Sequence, residues 1–156
     1  MAIRNVVMMG DDLLRKKSKP VKNFDENLWV LLDDMKETMH HRNGMGLAAI
    51  QVGVLKRAVI IECNEMFVEL INPEIIEQSG EDTEEEGCLS VGTVSGKVKR
   101  PMNVTVRAQD RYGYNFTLSG EKYLARVLCH EIDHLDGVLF VDKMIEGSDR
   151  RKGKKA

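Results

Sequence analysis

The sequence predicts an α+β fold in which small, mostly antiparallel sheets pack around a buried C-terminal helix, with a long amphipathic helix nearer the N-terminus. Two stretches with helical periodicity and several short β-rich runs support this class. The β-rich runs follow one another with glycine-rich and polar turns between them, which favours antiparallel pairing. No repeat or linker is visible, so we expect one domain over residues 1–148 and a basic, disordered tail over residues 149–156.

The composition excludes several classes of protein. With 156 residues, 42% apolar and 31% charged, the chain is of globular type and can bury about two-thirds of its unfolded surface. A net charge of −2 disfavours a general or sequence-specific nucleic-acid binder, and neither a membrane span nor a signal peptide is visible. Three cysteines are few, and an odd number cannot pair completely, so a disulfide framework is not expected. Free thiols indicate a reducing cytoplasm.

The helices are predicted from capping residues and apolar spacing. Asp11 and the following LLRKK run predict a short capped helix that stops at Pro20. A long amphipathic helix is predicted over residues 25–42, ended by Gly44. Its apolar stripe consists of Leu28, Leu31, Leu32, Met35 and Met39.

The strands are predicted from short β-rich runs. A turn is expected at residues 110–114 and a helix stop at Gly137. The predicted strands cover residues 57–63, 67–71, 97–99, 104–107 and 138–141.

A second helix is predicted over residues 120–135, and it is apolar on two faces. One face carries Leu124 and Leu128, and the other carries Val127 and the histidines. Such a helix is buried. Buried histidines are costly unless a metal or hydrogen bonds satisfy them.

The most informative residues are His130-Glu131-Ile132-Asp133-His134 on this helix. Residues four apart lie on one helical face, so both imidazoles can bind one ion. Glu131 can then reach a water activated by that ion. The alternative is a buried helix with two histidines that are satisfied by hydrogen bonds.

A hydrolytic metal site needs a third protein ligand. Three carboxylates downstream, Asp136, Asp142 and Glu146, would suit a small zincin-like protease. Cys88 lies upstream in the run Glu86-Gly87-Cys88-Leu89-Ser90, although such a cysteine is more often an apolar filler. The residues alone leave these alternatives open.

The glycine-rich stretch 44–51 could bring backbone close to a ligand. Gln51 at its end could donate a hydrogen bond to a developing oxyanion. Taken alone, such a stretch is usually only a turn.

Together, the stretches 44–51, 86–90 and 129–135 resemble the three ordered motifs of the peptide deformylase family. The resemblance extends from about residue 10 to 144 and includes the segments LRKKSKPV, LINP and DGVLF. It implies removal of the formyl group from N-formyl-methionyl nascent peptides, with release of formate. It also implies Fe(2+) as the working ion, for which zinc, nickel or cobalt can substitute in vitro.

The resemblance also implies roles for individual residues. Glu131 matches the general acid/base, and Gln51 and the backbone N–H of Leu89 match the oxyanion donors. The backbone of Gly46 matches a contact to the formyl and peptide groups. The implied metal ligands are Cys88, His130 and His134. The implied pocket for the methionine side chain consists of Met45, Glu86 and Val127, with Tyr123 at its rim.

Two positions depart from the family pattern. Cys129 stands where the family has Gln, and because it lies about 100° from His130 on the helix, we expect it to pack in the interior. Gly92 stands where the family has Pro, which loosens the loop after Val91.

The remaining charged segments give weaker indications. The acidic run 81–86 could attract a cationic peptide, although such a run is usually a solvated loop. The basic tail could contact ribosomal RNA weakly. A metal-binding module without activity is a further alternative, but mere metal binding requires neither Glu131 nor Gln51.

Overall fold

The computed structural model describes residues 2–151 of the chain. Within them, two α-helices and eight β-strands form the architecture. The helices are α1 (Glu26–His41) and α2 (Tyr123–Leu135). The strands are β1 (Gly46–Ala48), β2 (Ala58–Cys63), β3 (Met66–Ser79), β4 (Asp82–Glu86), β5 (Val94–Arg100), β6 (Asn103–Gln109), β7 (Asn115–Glu121) and β8 (Arg150–Arg151).

The strands form two antiparallel sheets. One has five strands in the order β1-β2-β3-β6-β7, and the other has three in the order β4-β5-β8. The predicted α+β class with antiparallel sheets is therefore confirmed. The turn between β6 and β7 lies where the sequence predicts it, and the Asp110 side chain accepts hydrogen bonds from the backbone N–H groups of Tyr112 and Tyr114.

Helix α1 covers one part of the larger sheet. The Asp25 side chain caps its N-terminus by accepting a hydrogen bond from the Leu28 N–H. Its apolar stripe packs on β1 and β2 in a cluster that includes Leu47 and Ile60. This packing fixes β1, and the backbone of β1 borders the site described below.

Helix α2 is buried between the two sheets. Its apolar residues join the second core cluster with Val59, Leu70 and Val106 from the larger sheet. The helix begins at Tyr123 rather than at residue 120, because Gly120 and Glu121 still pair with β6 as part of β7. The sharp change of direction falls on Lys122, whose φ is 54° and ψ is −120°.

One predicted strand is wrong. The strand predicted at residues 138–141 is absent from the described residues, and a 3-10 turn, Phe140–Asp142, places the buried Phe140 side chain there instead. In the described part of the predicted tail, Arg150–Arg151 pairs with β5. The rest of that tail, residues 152–156, lies outside the described residues.

Neither helix in the described part of the chain is long and apolar enough to cross a membrane.

Candidate metal centre

Three side chains with metal-binding atoms meet where α2 approaches the loop after β4. The ligand atoms of Cys88, His130 and His134 all lie within 4.8 Å of one another. Cys88 Sγ lies 3.4 Å from His134 Nε2. Because α2 places the two histidines four residues apart, both rings face the thiol, and their centroids are 5.1 Å apart.

The downstream carboxylates do not join this group. Asp136 pairs with Arg57 at 3.0 Å, and Asp142 binds the guanidinium of Arg15. Within the described residues, the group of potential ligands contains Cys88 and no carboxylate. The zincin-like arrangement is therefore not the one that the fold brings together.

Glu86 orients the first histidine. His130 Nδ1 donates a hydrogen bond to Glu86 Oε1 at 2.9 Å, which leaves Nε2 to face the thiol. Hydrogen bonds of this kind commonly orient metal-binding histidines.

Two buried arginines in turn hold Glu86. Arg100 binds both carboxylate oxygens, at 2.9 and 3.0 Å, and Arg126 binds Oε2. Burial opposes ionisation of Glu86, but hydrogen bonds from His130 and Arg100 outweigh it and lower its pKa to about 2. Glu86, predicted as part of the pocket for a methionine side chain, lines the cleft described below and has both oxygens bonded. Neither arginine is predicted as a site residue from the sequence.

The electrostatics of the centre favour a cation. Burial opposes protonation of His130, but the nearby Cys88 and Glu86 raise its pKa to about 10. His134 is fully buried, and burial lowers its pKa well below the ordinary value, so its ring is neutral. The potential donors are thus the neutral ring of His134, the thiol of Cys88 and the ring of His130, whose surroundings favour positive charge. Such a set suits a divalent transition metal.

Glu131 lies beside the potential ligands and carries an unsatisfied oxygen. Its side chain is 4% exposed, and Oε1 has no hydrogen-bond partner among the described residues. Burial raises the pKa of this carboxyl to about 7. Gly46 of β1 permits the approach of Glu131, because a Cβ atom at Gly46 would lie 2.6 Å from Glu131 Oε2.

Gln51 presents its amide nitrogen to the thiol. The backbone N–H of Ala48 donates to Gln51 Oε1 at 2.9 Å, which fixes the orientation of the amide. Gln51 Nε2 donates to Ser90 Oγ at 3.1 Å and lies 3.6 Å from Cys88 Sγ. Ser90 is fully buried, and its contact with the Gln51 amide is not predicted from the sequence.

A cleft of about 970 Å³ opens above the centre. Except for His134, which lies beneath its floor, every predicted site residue lines this cleft. At the rim, the Tyr123 hydroxyl donates to Met45 Sδ at 2.9 Å, and both side chains are about half exposed. Val127 is buried in the wall below them, and Leu89 and Gly46 border the cleft beside Cys88 and Glu131.

The two departures from the family pattern have simple structural consequences. Cys129 packs in the core as expected, and burial raises the pKa of its thiol to about 11. Gly92 adopts φ of +74°, a conformation that a proline cannot adopt. Glycine at position 92 therefore permits a turn in this loop that proline would prevent.

A pair of histidines on one helix, a thiol, and a buried glutamate with a free oxygen are together typical of a metal-dependent hydrolase. Comparison with known proteins narrows this class. The family model for polypeptide deformylase matches residues 3–150. The chain belongs to the polypeptide deformylase family, whose members are enzymes that remove the N-formyl group from nascent peptides.

Individual relatives agree over nearly the whole chain. The chain is 59% identical to the peptide deformylase of Caldicellulosiruptor bescii over 93% of its own length and 87% of the relative's. It is 56% identical to that of Acetivibrio thermocellus, over 96% and 88% of the two chains. The crystal structure of a peptide deformylase from Legionella pneumophila superimposes with a TM-score of 0.90 at 45% identity, covering 93% of this chain and 88% of that one.

Proposed function

We propose that Cys88, His130 and His134 bind one divalent metal, and that Glu131 acts as general acid/base in hydrolysis of the formyl amide. The observation that carries this proposal is the clustering of the three donor atoms within 4.8 Å beside the unsatisfied carboxylate oxygen of Glu131. A buried oxygen without a hydrogen-bond partner is costly in free energy unless a donor, such as a bound water, occupies the space beside it. A metal in this position supplies a Lewis acid and a nucleophilic water near neutral pH.

Glu131 moves the proton in this proposal. As a carboxylate it accepts the proton of the attacking water, and as an acid it returns that proton to the leaving nitrogen, because an amine leaves poorly unless it is protonated. A pKa of about 7, raised by burial, suits both tasks near neutral pH. Gly46 keeps the carboxylate close to the cleft, since any larger residue would displace it.

Gln51 Nε2 and the backbone N–H of Leu89 stabilise the oxyanion that forms during attack. The Ala48 N–H holds the Gln51 amide so that its nitrogen faces the centre. One preorganised donor of this kind typically contributes about 3 kcal/mol to stabilisation of the transition state.

The substrate is an N-formyl-methionyl peptide in the cleft. We propose that the Gly46 backbone contacts the formyl and peptide groups, and that Met45, Val127 and Tyr123 surround the methionine side chain. Their position along the wall and rim of the cleft supports this assignment. Glu86 supports His130 rather than the substrate, because the arginines and His130 take both of its oxygens.

We further propose Fe(2+) as the working metal, on the strength of the family resemblance. Zinc, nickel or cobalt suit the same donor set. A nascent-peptide substrate and three free cysteines support action in the cytoplasm. We also propose weak, salt-sensitive contact of the basic residues 149–156 with ribosomal RNA, which deletion of these residues should abolish.

Two substitutions test the proposed roles. Glu131→Gln should lower kcat by about 10³-fold while metal content stays at one per chain, because the base is lost and the ligands remain. Cys88→Ser should instead reduce metal content, since the thiolate is lost. Metal analysis with a formate-release assay separates the two effects. Full metal occupancy of Cys88→Ser would contradict the ligand assignment, and full turnover by Glu131→Gln would contradict the base.

A further inference from the structure

The first residues of the chain contact both loops that carry the proposed oxyanion donors. The backbone N–H of Val7 donates to the carbonyl oxygen of Gln51 at 2.7 Å. The backbone N–H of Met9 donates to the carbonyl oxygen of Ser90 at 2.6 Å. Val7 and Met9 are only two residues apart, so this one short stretch joins two segments that are distant in sequence.

The same stretch is anchored on α1 at its other end. The Ala2 N–H donates to Asp34 Oδ1 at 2.7 Å, and the Arg4 N–H donates to Thr38 Oγ1 at 2.9 Å. The guanidinium of Arg4 also pairs with Asp34 at 2.8 Å, and the Asp34 side chain is only 7% exposed. The stretch therefore runs from a packed helix to the edge of the metal centre.

The loop between β4 and β5 needs such support. Its residues pair with no strand, and within the loop the Val91 N–H donates to the Cys88 carbonyl at 3.0 Å in a turn. Gly92, with its positive φ, follows directly. The Ser90–Val91 peptide therefore accepts a hydrogen bond from Met9 at its oxygen and donates one through the Val91 N–H to the Cys88 carbonyl, whose peptide carries the Leu89 N–H.

We propose that residues 7–9 form a positioning strap that fixes Gln51 and the Leu89 amide relative to the metal centre. This inference rests on the oxyanion role proposed for those two groups. Donors held in place before the reaction need no reorganisation when charge develops, and a displacement of about 1 Å can cost as much as 100-fold in rate. Because the oxyanion exists only in the transition state, the strap acts on kcat and leaves KM nearly unchanged.

Proline substitutions test the strap, because proline lacks the N–H group that each of the two contacts requires. Val7→Pro and Met9→Pro should each lower kcat by about 10-fold, with KM within about two-fold of wild type and metal content unchanged. Asn5→Pro is the matched control, since the Asn5 N–H donates to neither loop. It should keep both kinetic constants near the wild-type values.

A double-mutant cycle with Gln51→Ala separates positioning from a general structural role. Once the donor is absent, Val7→Pro should lower kcat by less than about two-fold further, because there is no longer a donor to position. An equal loss in both backgrounds, an unchanged kcat in Val7→Pro, or a loss that follows metal content would overturn the strap. An unchanged kcat in Gln51→Ala would instead refute the underlying oxyanion role.

A remote variant gives the same test if a proline variant does not fold. Asp34→Ala releases the anchored end of the stretch without altering any group near the metal centre. It should lower kcat about three-fold in the wild-type background and have almost no effect beside Gln51→Ala. Additive losses would count against the strap.

Discussion

His130 is oriented by a residue that has no direct part in the proposed chemistry. Glu86 fixes His130, and Arg100 and Arg126 fix Glu86. The two arginines and Glu86 are nearly inaccessible to solvent, so the group is costly to bury and stable only because every charge has a partner. The same group therefore holds the geometry of the centre and the ionised state of Glu86.

Glu86→Gln should weaken metal binding by about 10- to 100-fold, because an amide accepts the His130 N–H less strongly and loses its charge pairing with the arginines. Competition with a chelator of known affinity measures this change on folded protein. Glu84→Gln, at an exposed position of the same strand, is the matched control and should leave affinity unchanged. Equal affinities for wild type and Glu86→Gln would show that Glu86 does not support the ligand.

The sequence indicated the candidate ligands and the candidate base better than the residues that hold them in place. His130, Glu131 and His134 were visible from spacing alone, since an interval of four residues defines a helical face. Cys88 needed the resemblance, because nothing local distinguishes a ligand cysteine from an apolar filler. Arg100 and Arg126 gave no signal, as arginines are mostly exposed and only the tertiary fold brings this pair to Glu86.

At the scale of elements, the ends of regular structure were predicted least well. The sequence placed the start of α2 at residue 120, but Gly120 and Glu121 extend β7 by pairing with β6. Strand β4 was predicted as a solvated acidic loop, yet Glu85 pairs opposite Lys97 of β5. Long-range pairing with a complementary partner overrides the low β propensity of such residues.

Lys122 carries the backbone strain of the junction between β7 and α2. Its φ of 54° with ψ of −120° is a conformation that glycine adopts readily and other residues adopt at a cost of about 1–3 kcal/mol. Lys122→Gly should therefore raise the free energy of unfolding by about 1 kcal/mol, after allowance for the greater freedom of glycine in the unfolded chain. Denaturant unfolding at equilibrium measures this difference.

Lys99→Gly is the comparison for that experiment, because Lys99 lies inside β5 with an exposed side chain. Glycine in a strand interior should lower the free energy of unfolding by roughly 0.5–1 kcal/mol. Changes of opposite sign in the free energy of unfolding of the two variants would identify backbone strain at Lys122. A loss of stability in Lys122→Gly would mean that the junction is not strained.

At the scale of the whole molecule, the fold places one thiol in the open cleft and buries the other two. Cys88 is partly exposed beside the metal centre, whereas burial raises the pKa of both Cys63 and Cys129. Oxidation requires thiolate character and access, so it should fall on Cys88. Relative to the family pattern, Cys129 therefore adds a thiol without adding an oxidation site.

Exposure to air should inactivate the iron form faster than the nickel form, because Fe(2+) beside a thiolate promotes oxidation of the sulfur. Activity followed over time, with mass spectrometry of the cysteine-containing peptides, measures both loss and location. Sulfinic or sulfonic acid should be found at Cys88, with Cys129 unmodified as the internal control. Equal lifetimes for the two metal forms would count against an iron–thiolate centre.

Formate release by the anaerobically prepared Fe(2+) form, acting on a formyl-methionyl tripeptide, tests the central claim most directly. The arrangement of Cys88, His130, His134 and Glu131 predicts one formate and one free methionyl amine for each peptide consumed, with the peptide bonds intact. Absence of formate, or cleavage of a peptide bond instead of the formyl amide, would contradict the account.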